Sequence, residues 1–338
     1  MVRFTVETGA QRRVFGFALA FAILSTIFVS LRILTNRLAH RALDASDYCI
    51  VAACIFVVGF EACSITAVLN CGVGLHMLDI VSTHGPAPIA EFAQLLVALQ
   101  NLWVLSLSFC KISMLLLYTR IFSVPALVLT ARLTAGFIVA WATATVLATF
   151  LICQPFAYNW DKTVPDGHCG DQVLLLQVTG ALNIFTDLMV VLLPLPLLCR
   201  LEINLCQRLV LLAEFSLGLL TCVVSAVRLY TLISMDYRDI TYTIPKVNIL
   251  SGLEPAVAII LACVIMLRPL TRRESYTRDG SRNNTTTSSK SKGRGLGGAS
   301  NGESERWDND SDVHLRPLRA RREIWVMGSK NASHFSLS

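Results

Sequence analysis

The chain has 338 residues, of which 54% are hydrophobic and only 15% are charged. Soluble domains carry about 25% charged residues, so this composition points away from a soluble globular protein and predicts a polytopic membrane protein. The whole formal net charge of +6 falls in residues 268–338, because residues 1–267 hold fifteen basic and fifteen acidic side chains. The tail shows no folded nucleic-acid-binding module, so its basic residues are expected to contact anionic lipid and not nucleic acid.

Seven apolar runs are long enough to cross a bilayer, which takes about 20 residues of helix. The predicted fold is an all-α membrane protein, a seven-transmembrane helix bundle, because isolated strands would leave backbone groups unsatisfied in lipid. The runs cover about residues 14–35, 47–69, 92–118, 130–152, 173–198, 208–234 and 247–267. Around them we expect a short extracellular N-terminus (1–13), a membrane domain (14–270) and a disordered basic cytoplasmic tail (271–338) with few large apolar residues.

Basic residues in the short loops predict how the helices are oriented. Eleven Arg or Lys residues flank the spans on one side and six on the other. Since the cytoplasmic side carries the excess, the pattern predicts an extracellular N-terminus and a cytoplasmic C-terminus. Arg12 and Arg13, just before the first span, argue the other way. The C-terminal residues show no retention signal, so the plasma membrane is the expected location.

Two cysteines flank the loop between the fourth and fifth predicted spans. Cys153 and Cys169 enclose an aromatic turn that contains Pro and Gly. In an oxidising outer compartment a disulfide between them would shape a lid over the bundle. Cys71 is a third cysteine on the same side, and three cysteines do not determine the pairing. Free thiols at the helix ends are the alternative interpretation.

We single out six ionisable residues inside the predicted spans, where an unpaired charge is strongly disfavoured. They are Glu61, Lys111, Asp187, Glu214, Arg228 and Glu254. Their depths predict an outer pair of Arg228 with Glu254. Lys111 is expected to meet Glu214 and Asp187 nearer the inner side, with Glu61 also within reach. Four acids face two bases, so two carboxyls either stay protonated or line a wet cavity.

Two interpretations of these buried charges remain open. In the functional one, the polar interior rearranges when a ligand binds, or it carries protons. In the structural one, the charges hold helices together and Lys111 extends its ammonium group to the inner membrane surface.

Six stretches occur in an order and spacing typical of one family. They are GVGLHMLDI at 72–80, CKISMLLLYTRIF at 110–122, CQPFAYNW…GHC at 153–169, ALNIFTDLMVVLLPLPLL at 181–198, FSLGLLTCVVSAVRL at 215–229 and LRPL at 267–270. On these stretches the chain resembles the fungal rhodopsin-domain integral membrane proteins. This family is of the satratoxin-cluster type and includes plant-pathogenicity receptor-like proteins. The resemblance implies a receptor-like seven-helix protein linked to secondary metabolism or host sensing, and it brings no known ligand or reaction.

The leading functional hypothesis is receptor-like signalling. An unknown small-molecule or surface ligand would enter under the Cys153–Cys169 loop, and the charged bundle would relay its binding to a cytoplasmic effector. The alternative is a transporter or accessory membrane component of a secondary-metabolite cluster, with Asp187, Glu61 and Glu214 coupling protons. No repeat between the two halves, of the kind common in transporters, is visible in the sequence.

Retinal, metals and catalysis are not expected. A retinal Schiff base requires a buried lysine in the last span, and residues 247–267 contain none, with Lys246 at their edge. The histidines fall outside the spans and the cysteines fit no zinc spacing, which argues against an intramembrane metalloenzyme. We therefore expect no enzyme activity, no cofactor and no nucleic-acid partner, and membrane lipid as the surroundings.

Overall fold

The computed structural model describes the backbone of residues 4–6, 8–38, 40, 42–121, 124–193, 205–236 and 239–283, and their side chains except at 121, 205–214, 217 and 265–283. Most of this part of the chain is helical. The helices are α1 (Gly9–Leu38), α2 (Ala45–Cys71), α3 (Met77–His84), α4 (Ala87–Ile121), α5 (Pro125–Leu151), α6 (Gln172–Leu192), α7 (Leu205–Ile233) and α8 (Ile240–Asn283).

Six of these helices are long and apolar enough to cross a bilayer. They are α1, α2, α4, α5, α6 and the Ile240–Val264 part of α8. Helix α7 has 29 residues, and its segment Gly218–Ile233 is also apolar. The predicted all-α, multi-pass membrane fold is confirmed, and seven long helices agree with the seven predicted spans. The eight-residue α3 lies between the second and third spans and was not predicted.

The last helix runs further than the predicted membrane domain. Its backbone is helical to Asn283, past the boundary set at residue 270, whereas its apolar part ends at Val264. The disorder predicted for the remainder of the tail concerns residues that lie outside the described part of the chain, so the three domain limits stay predictions.

Helices α4 and α8 are the most enclosed members of the bundle. In each, 67% of the apolar window is buried, against 28% in α1 and 33% in α5 and α6. The less enclosed helices turn large apolar side chains outwards; Leu133 and Leu147 of α5 are 66% and 59% exposed. Lipid covers such surfaces in a bilayer, so apolar faces suit the outside of the bundle and polar groups are confined to its interior.

Arg32 attaches α1 to two other helices. Its side chain is 1% exposed, and its Nε donates to Asp47 Oδ1 of α2 at 2.9 Å. Nη2 donates to Ser46 Oγ at 2.8 Å, and Nη1 donates to the carbonyl oxygen of Ala262 in α8 at 2.9 Å. Every nitrogen of this buried guanidinium thus has an acceptor, which compensates for its removal from water.

A small hairpin covers one end of the bundle, here called the hairpin end. Strands β1 (Cys153–Gln154) and β2 (His168–Cys169) pair antiparallel, with Cys153 opposite Cys169. A disulfide joins these two cysteines, and Cys71 has a free thiol. Between the strands, the ring of Tyr158 lies directly against Gly167, where any Cβ atom would clash with it. A glycine is therefore required at this close approach.

Gly218 provides a test of how closely α6 and α7 pack. A Cβ at Gly218 would lie 2.8 Å from Val191 Cγ2 of α6, and a β-branched side chain has little freedom to move away. Gly218→Ala is expected to cost about 1–3 kcal/mol through overpacking and to lower Tm in thermal unfolding. The matched control is Gly136→Ala, since nothing lies within 4 Å of a Cβ there. The control should be neutral or stabilising by about 1 kcal/mol, and equal shifts in Tm would contradict the packing.

Candidate functional site

Lys111 lies in the interior of the bundle and is paired there. It is 2% exposed, and its Nζ lies 2.9 Å from Asp187 Oδ1 of α6. The ammonium also donates to Asn183 Oδ1 at 2.8 Å and to Thr186 Oγ1 at 2.7 Å. It stands 5.4 Å from the ring centre of Trp141. Because one turn of α6 supplies these acceptors, Lys111 points into the bundle and does not extend to the membrane surface.

Asn183 and Ser225 connect Asp187 to a second buried acid, Glu254 of α8. Asn183 Nδ2 donates to Glu254 Oε1 at 2.5 Å and to Asp187 Oδ2 at 3.2 Å. Ser225 Oγ of α7 lies 3.0 Å from Asp187 Oδ2 and also bonds to Glu254 Oε1. One amide and one hydroxyl therefore bridge two carboxyl groups, and the hydrogen bonds join α4, α6, α7 and α8. We call Lys111, Asn183, Asp187, Ser225 and Glu254 the polar cluster.

Trp103 of α4 links the polar cluster to Arg228 of α7. Its Nε1 donates to Glu254 Oε2 at 3.1 Å, and the Arg228 guanidinium carbon lies 3.6 Å from its ring centre. Arg228 Nε donates to Ser251 Oγ at 2.7 Å. On the other side, the Trp103 ring meets Trp141 edge-on at 6.3 Å. Two indole rings in contact thus separate the cation of Lys111 from that of Arg228.

The predicted pairing of Arg228 with Glu254 is replaced by this indirect connection. Both side chains are described, and they make no direct ion pair. The planar guanidinium stacks on the indole, an arrangement that arginine favours. The indole in turn supplies the hydrogen bond that Glu254 accepts. Helix depth alone predicts that Arg228 and Glu254 are neighbours, but it does not reveal the side chain between them.

Three of the six predicted residues, Lys111, Asp187 and Glu254, belong to the polar cluster, and Arg228 is connected to it through Trp103. The remaining two are Glu61 and Glu214. Glu61 of α2 is 3% exposed and lies against Gly252 of α8, and its Oε1 has no hydrogen-bond partner among the described residues. Glu214 belongs to the helical backbone of α7, but its side chain lies outside the described residues. A contact between Lys111 and Glu214 therefore stays a prediction.

The sequence contains a signal for the uncharged members of the site. On α6, Asn183, Thr186 and Asp187 are three and four residues apart, which places them on one helix face. Ser225 and Arg228 repeat this spacing on α7, and Ser251 and Glu254 repeat it on α8. Arg32 also lies inside the first predicted span and is missing from the six residues, although an arginine at that depth needs partners.

A cavity of about 230 Å³ lies between the hairpin and the polar cluster. Most of its wall is apolar, formed by side chains such as Phe60, Phe92, Leu96, Leu176, Ile244 and Val247. Asn159 and Gln172 line it at the hairpin end, and Gln172 Nε2 donates to Asn159 Oδ1 at 3.1 Å. Trp103, Arg228 and Ser251 line its inner part. A concave, mostly apolar space with a few polar groups is the usual form of a small-molecule site.

A separate polar contact fixes α3 to the start of α8 at the hairpin end. His76 Nδ1 and Asp239 Oδ2 are hydrogen-bonded at 2.5 Å, and the Met77 backbone N–H donates to Asp239 Oδ1 at 3.0 Å. The His76 ring stacks on Tyr242 with centroids 4.1 Å apart. Burial alone would raise the pKa of Asp239, but these hydrogen bonds and the charge of His76 lower it below its usual value.

The membrane bundle matches a known family along most of its length. A family model described as the fungal rhodopsin domain covers residues 31–273, which is more than half of the chain. The chain belongs to the fungal rhodopsin-domain family. The match begins within α1 and ends within α8, so it includes the polar cluster and the residues around Arg228. The resemblance noted on the six sequence stretches is thereby confirmed.

Relatives of this fungal rhodopsin-domain protein include products of biosynthetic clusters. A polyenoic acids biosynthesis gene cluster protein, Ba17b of Metarhizium anisopliae, is 27% identical over 75% of this chain and 72% of its own length. A SAT4 family membrane protein of Emericella nidulans is 30% identical over 51% of this chain and 44% of that protein. Fugralins biosynthesis cluster protein 2 of Gibberella zeae is 26% identical over 53% of this chain and 48% of its own length. No solved structure matches the chain.

Removing the charge of Lys111 tests whether the ion pair stabilises this fungal rhodopsin-domain protein. Lys111→Met leaves the Asp187 carboxylate buried without its partner, and losing one member of such a pair costs about 3–5 kcal/mol. We expect a clear fall in Tm for the protein in lipid nanodiscs, partly recovered in the Lys111→Met, Asp187→Asn double variant. Lys246→Met, at an exposed position of α8, is the control and should change stability by less than about 0.5 kcal/mol. Equal Tm values for Lys111→Met and the control would contradict a stabilising pair.

Asp239 makes part of the stability depend on pH. Because its pKa is lowered in the folded state, the carboxylate stabilises the fold above the unfolded pKa of about 4 and loses this effect as the pH falls through the folded value. The difference in Tm between wild type and Asp239→Asn should therefore be largest near pH 6 and should shrink below about pH 4. Asp79→Asn in α3 is the control, since the Asp79 side chain has no partner among the described residues. A difference that did not change with pH would contradict this assignment.

Proposed function

We propose that this fungal rhodopsin-domain protein is a receptor-like sensor, in which a ligand bound in the cavity changes the hydrogen bonding of the polar cluster. One observation carries the proposal: the cavity ends on Trp103 and Arg228, and Trp103 donates directly to Glu254. From Glu254, Asn183 leads to Lys111 through two further hydrogen bonds. A side chain that contacts a bound ligand is thus connected to the centre of the bundle.

The relay depends on the competition for Glu254. Its carboxyl group accepts from Trp103, Asn183 and Ser225, which belong to three different helices. A ligand that moves Trp103 or attracts Arg228 changes how well Glu254 can accept hydrogen bonds from its other two donors, Asn183 and Ser225. Rearranged bonds to Asn183 then alter how Lys111 holds α4 to α6. A ligand shifts such an equilibrium only by its difference in affinity for the two arrangements.

The orientation we propose places the hairpin end and the N-terminus outside the plasma membrane and the C-terminus in the cytoplasm. The disulfide between Cys153 and Cys169 supports this choice, because disulfides persist in oxidising compartments. The excess of basic loop residues on the opposite side supports it as well. The cytoplasmic face would then contact an effector. We expect the protein to act by binding, with no catalytic group and no cofactor.

Glu61 supports a second candidate function. It is a buried acid of α2 whose Oε1 has no partner among the described residues, and lone acids inside a membrane often belong to proton pathways. Two of the relatives carry the names of biosynthetic clusters. A transporter or accessory membrane component for a secondary metabolite would combine these observations, with Glu61 or Asp187 coupling the movement of the metabolite to protons.

Asn183 offers the sharpest test of sensing, because it connects Glu254 to Lys111. A strain lacking the gene is complemented with wild type, Asn183→Leu or the exposed control Lys246→Met, and its transcriptional response to added small-molecule extract is recorded. Loss of the relay should raise the half-maximal dose for Asn183→Leu by about 5–150-fold, the usual range of coupling energies. The amount of tagged protein at the membrane must be equal in all strains.

The same strains, together with one that carries Glu61→Gln, separate the two functions. Sensing predicts an altered response with an unchanged distribution of metabolites between cells and medium. Transport predicts the reverse, with metabolites retained in the cells of the Glu61→Gln strain. An unaltered dose response in the Asn183→Leu strain would overturn the relay.

A further inference from the structure

We infer that the cavity binds a small lipophilic monocarboxylic acid, with its carboxylate on Arg228 and its apolar body between α2, α4 and α8. The inference rests on the proposed function, since it names the ligand class of the same cavity. It follows from which donors the cavity presents, which acceptors it lacks, and how much apolar space it leaves.

Arg228 presents unused hydrogen-bond donors at the cavity. Its side chain is 4% exposed and lines the cavity. Nε donates to Ser251, whereas Nη1 and Nη2 make no hydrogen bond with any described residue. Buried charged donors without acceptors are costly. The contrast is Arg32, whose guanidinium has an acceptor for each nitrogen.

A second donor without a partner belongs to a residue that lines the same space. Gln100 lines the cavity one turn before Trp103 on α4, and its buried Nε2 has no hydrogen-bond partner among the described residues. Arg228 of α7 and Gln100 of α4 therefore both carry donor groups without acceptors, and a ligand that accepts hydrogen bonds would satisfy them. A carboxylate accepts two parallel bonds from a guanidinium, and an anion also meets the charge of Arg228.

Among the described residues that line the cavity, none is an acid that could take this role. Arg228 is the one charged side chain of that set. Glu254 is close enough to attract it electrostatically. The oxygens of Glu254, however, accept from Trp103, Asn183 and Ser225, and they do not reach Arg228 directly. The positive charge at the inner end of the cavity is therefore available to a ligand anion.

The size and wall of the cavity define the remainder of the ligand. A volume of about 230 Å³ corresponds to roughly eight water-sized groups at about 30 Å³ each. The wall is lined by Phe, Leu, Ile and Val side chains, so these groups should be apolar carbons. A medium-chain acid of about this size, such as octanoate, is a suitable probe. Such acids reach the site from water or from the outer leaflet, and the recognition chemistry is the same.

Binding to the full chain in phosphatidylcholine nanodiscs tests the inference. Radiolabelled octanoate is compared with octanamide, which has the same chain length and no charge, and protein-free nanodiscs give the background from partition into lipid. Charge-assisted hydrogen bonds should make octanoate bind roughly tenfold to a hundredfold more tightly than octanamide. Equal affinities would overturn the inference.

Variants show whether the preference comes from Arg228. Arg228→Gln should bind octanamide as wild type does and lose the preference for octanoate, whereas Arg228→Lys should keep part of it. Ala93→Phe, which fills the cavity from α4, should abolish binding of both probes. If Arg228→Gln does not fold, Gln100→Leu and Ala93→Phe still test the inference. An unchanged preference for octanoate in both variants would show that octanoate binds outside this cavity.

A comparison with the sensing assay completes the experiment. Selective octanoate binding together with an unchanged dose response in Asn183→Leu would support this inference and reject sensing. A shifted dose response in Asn183→Leu without selective octanoate binding would support sensing and reject this inference.

Discussion

The ion pair between Lys111 and Asp187 is the interaction on which the interior of the bundle depends. In a bilayer no water can compensate a charge placed at this depth, so the ammonium group must find its acceptors within the protein. Its acceptors come from a single turn of α6, and the same turn holds Asn183, which reaches Glu254 of α8. The hydrogen bonds that continue from this lysine through Asn183 to Glu254 and Ser225 therefore join four helices in a fixed arrangement.

This requirement explains why α4 and α8 are enclosed while the remaining helices face lipid. Lys111 and Trp103 both belong to α4, and Glu254 and Ser251 both belong to α8, so these two helices carry polar groups that cannot face hydrocarbon. Polar contacts add direction to a packing that apolar side chains alone leave unspecified. The cavity is the space that remains where these polar groups end and the hairpin begins. Its charged side chain, Arg228, faces the polar cluster across the ring of Trp103.

The sequence is sufficient to predict the fold, because apolar runs of bilayer length allow few alternatives to a helix bundle. It also identifies Asp187 as a candidate partner of Lys111, since Asp187 lies near mid-depth within reach of an extended lysine side chain, although it places Glu214 at the closer matching depth. It does not predict Trp103 between Arg228 and Glu254, because position along a helix says nothing about which side chain of a third helix intervenes. Asn183 and Ser225 are neutral, so they carry no desolvation signal. Arg32 lies near the end of its helix, where an arginine usually reaches the membrane surface. The cavity depends on how helices distant in sequence approach each other.

The pairing of Lys111 with Asp187 also determines how the protein responds to the membrane potential. A potential of 100 mV does about 2.3 kcal/mol of work on one elementary charge that crosses the whole bilayer. When an ammonium and a carboxylate move together, their opposite charges cancel and almost no electrical work is done. A voltage can therefore act on this pair only through a change that separates the two groups along the membrane normal. Held 2.9 Å apart, they move almost no net charge when they move together.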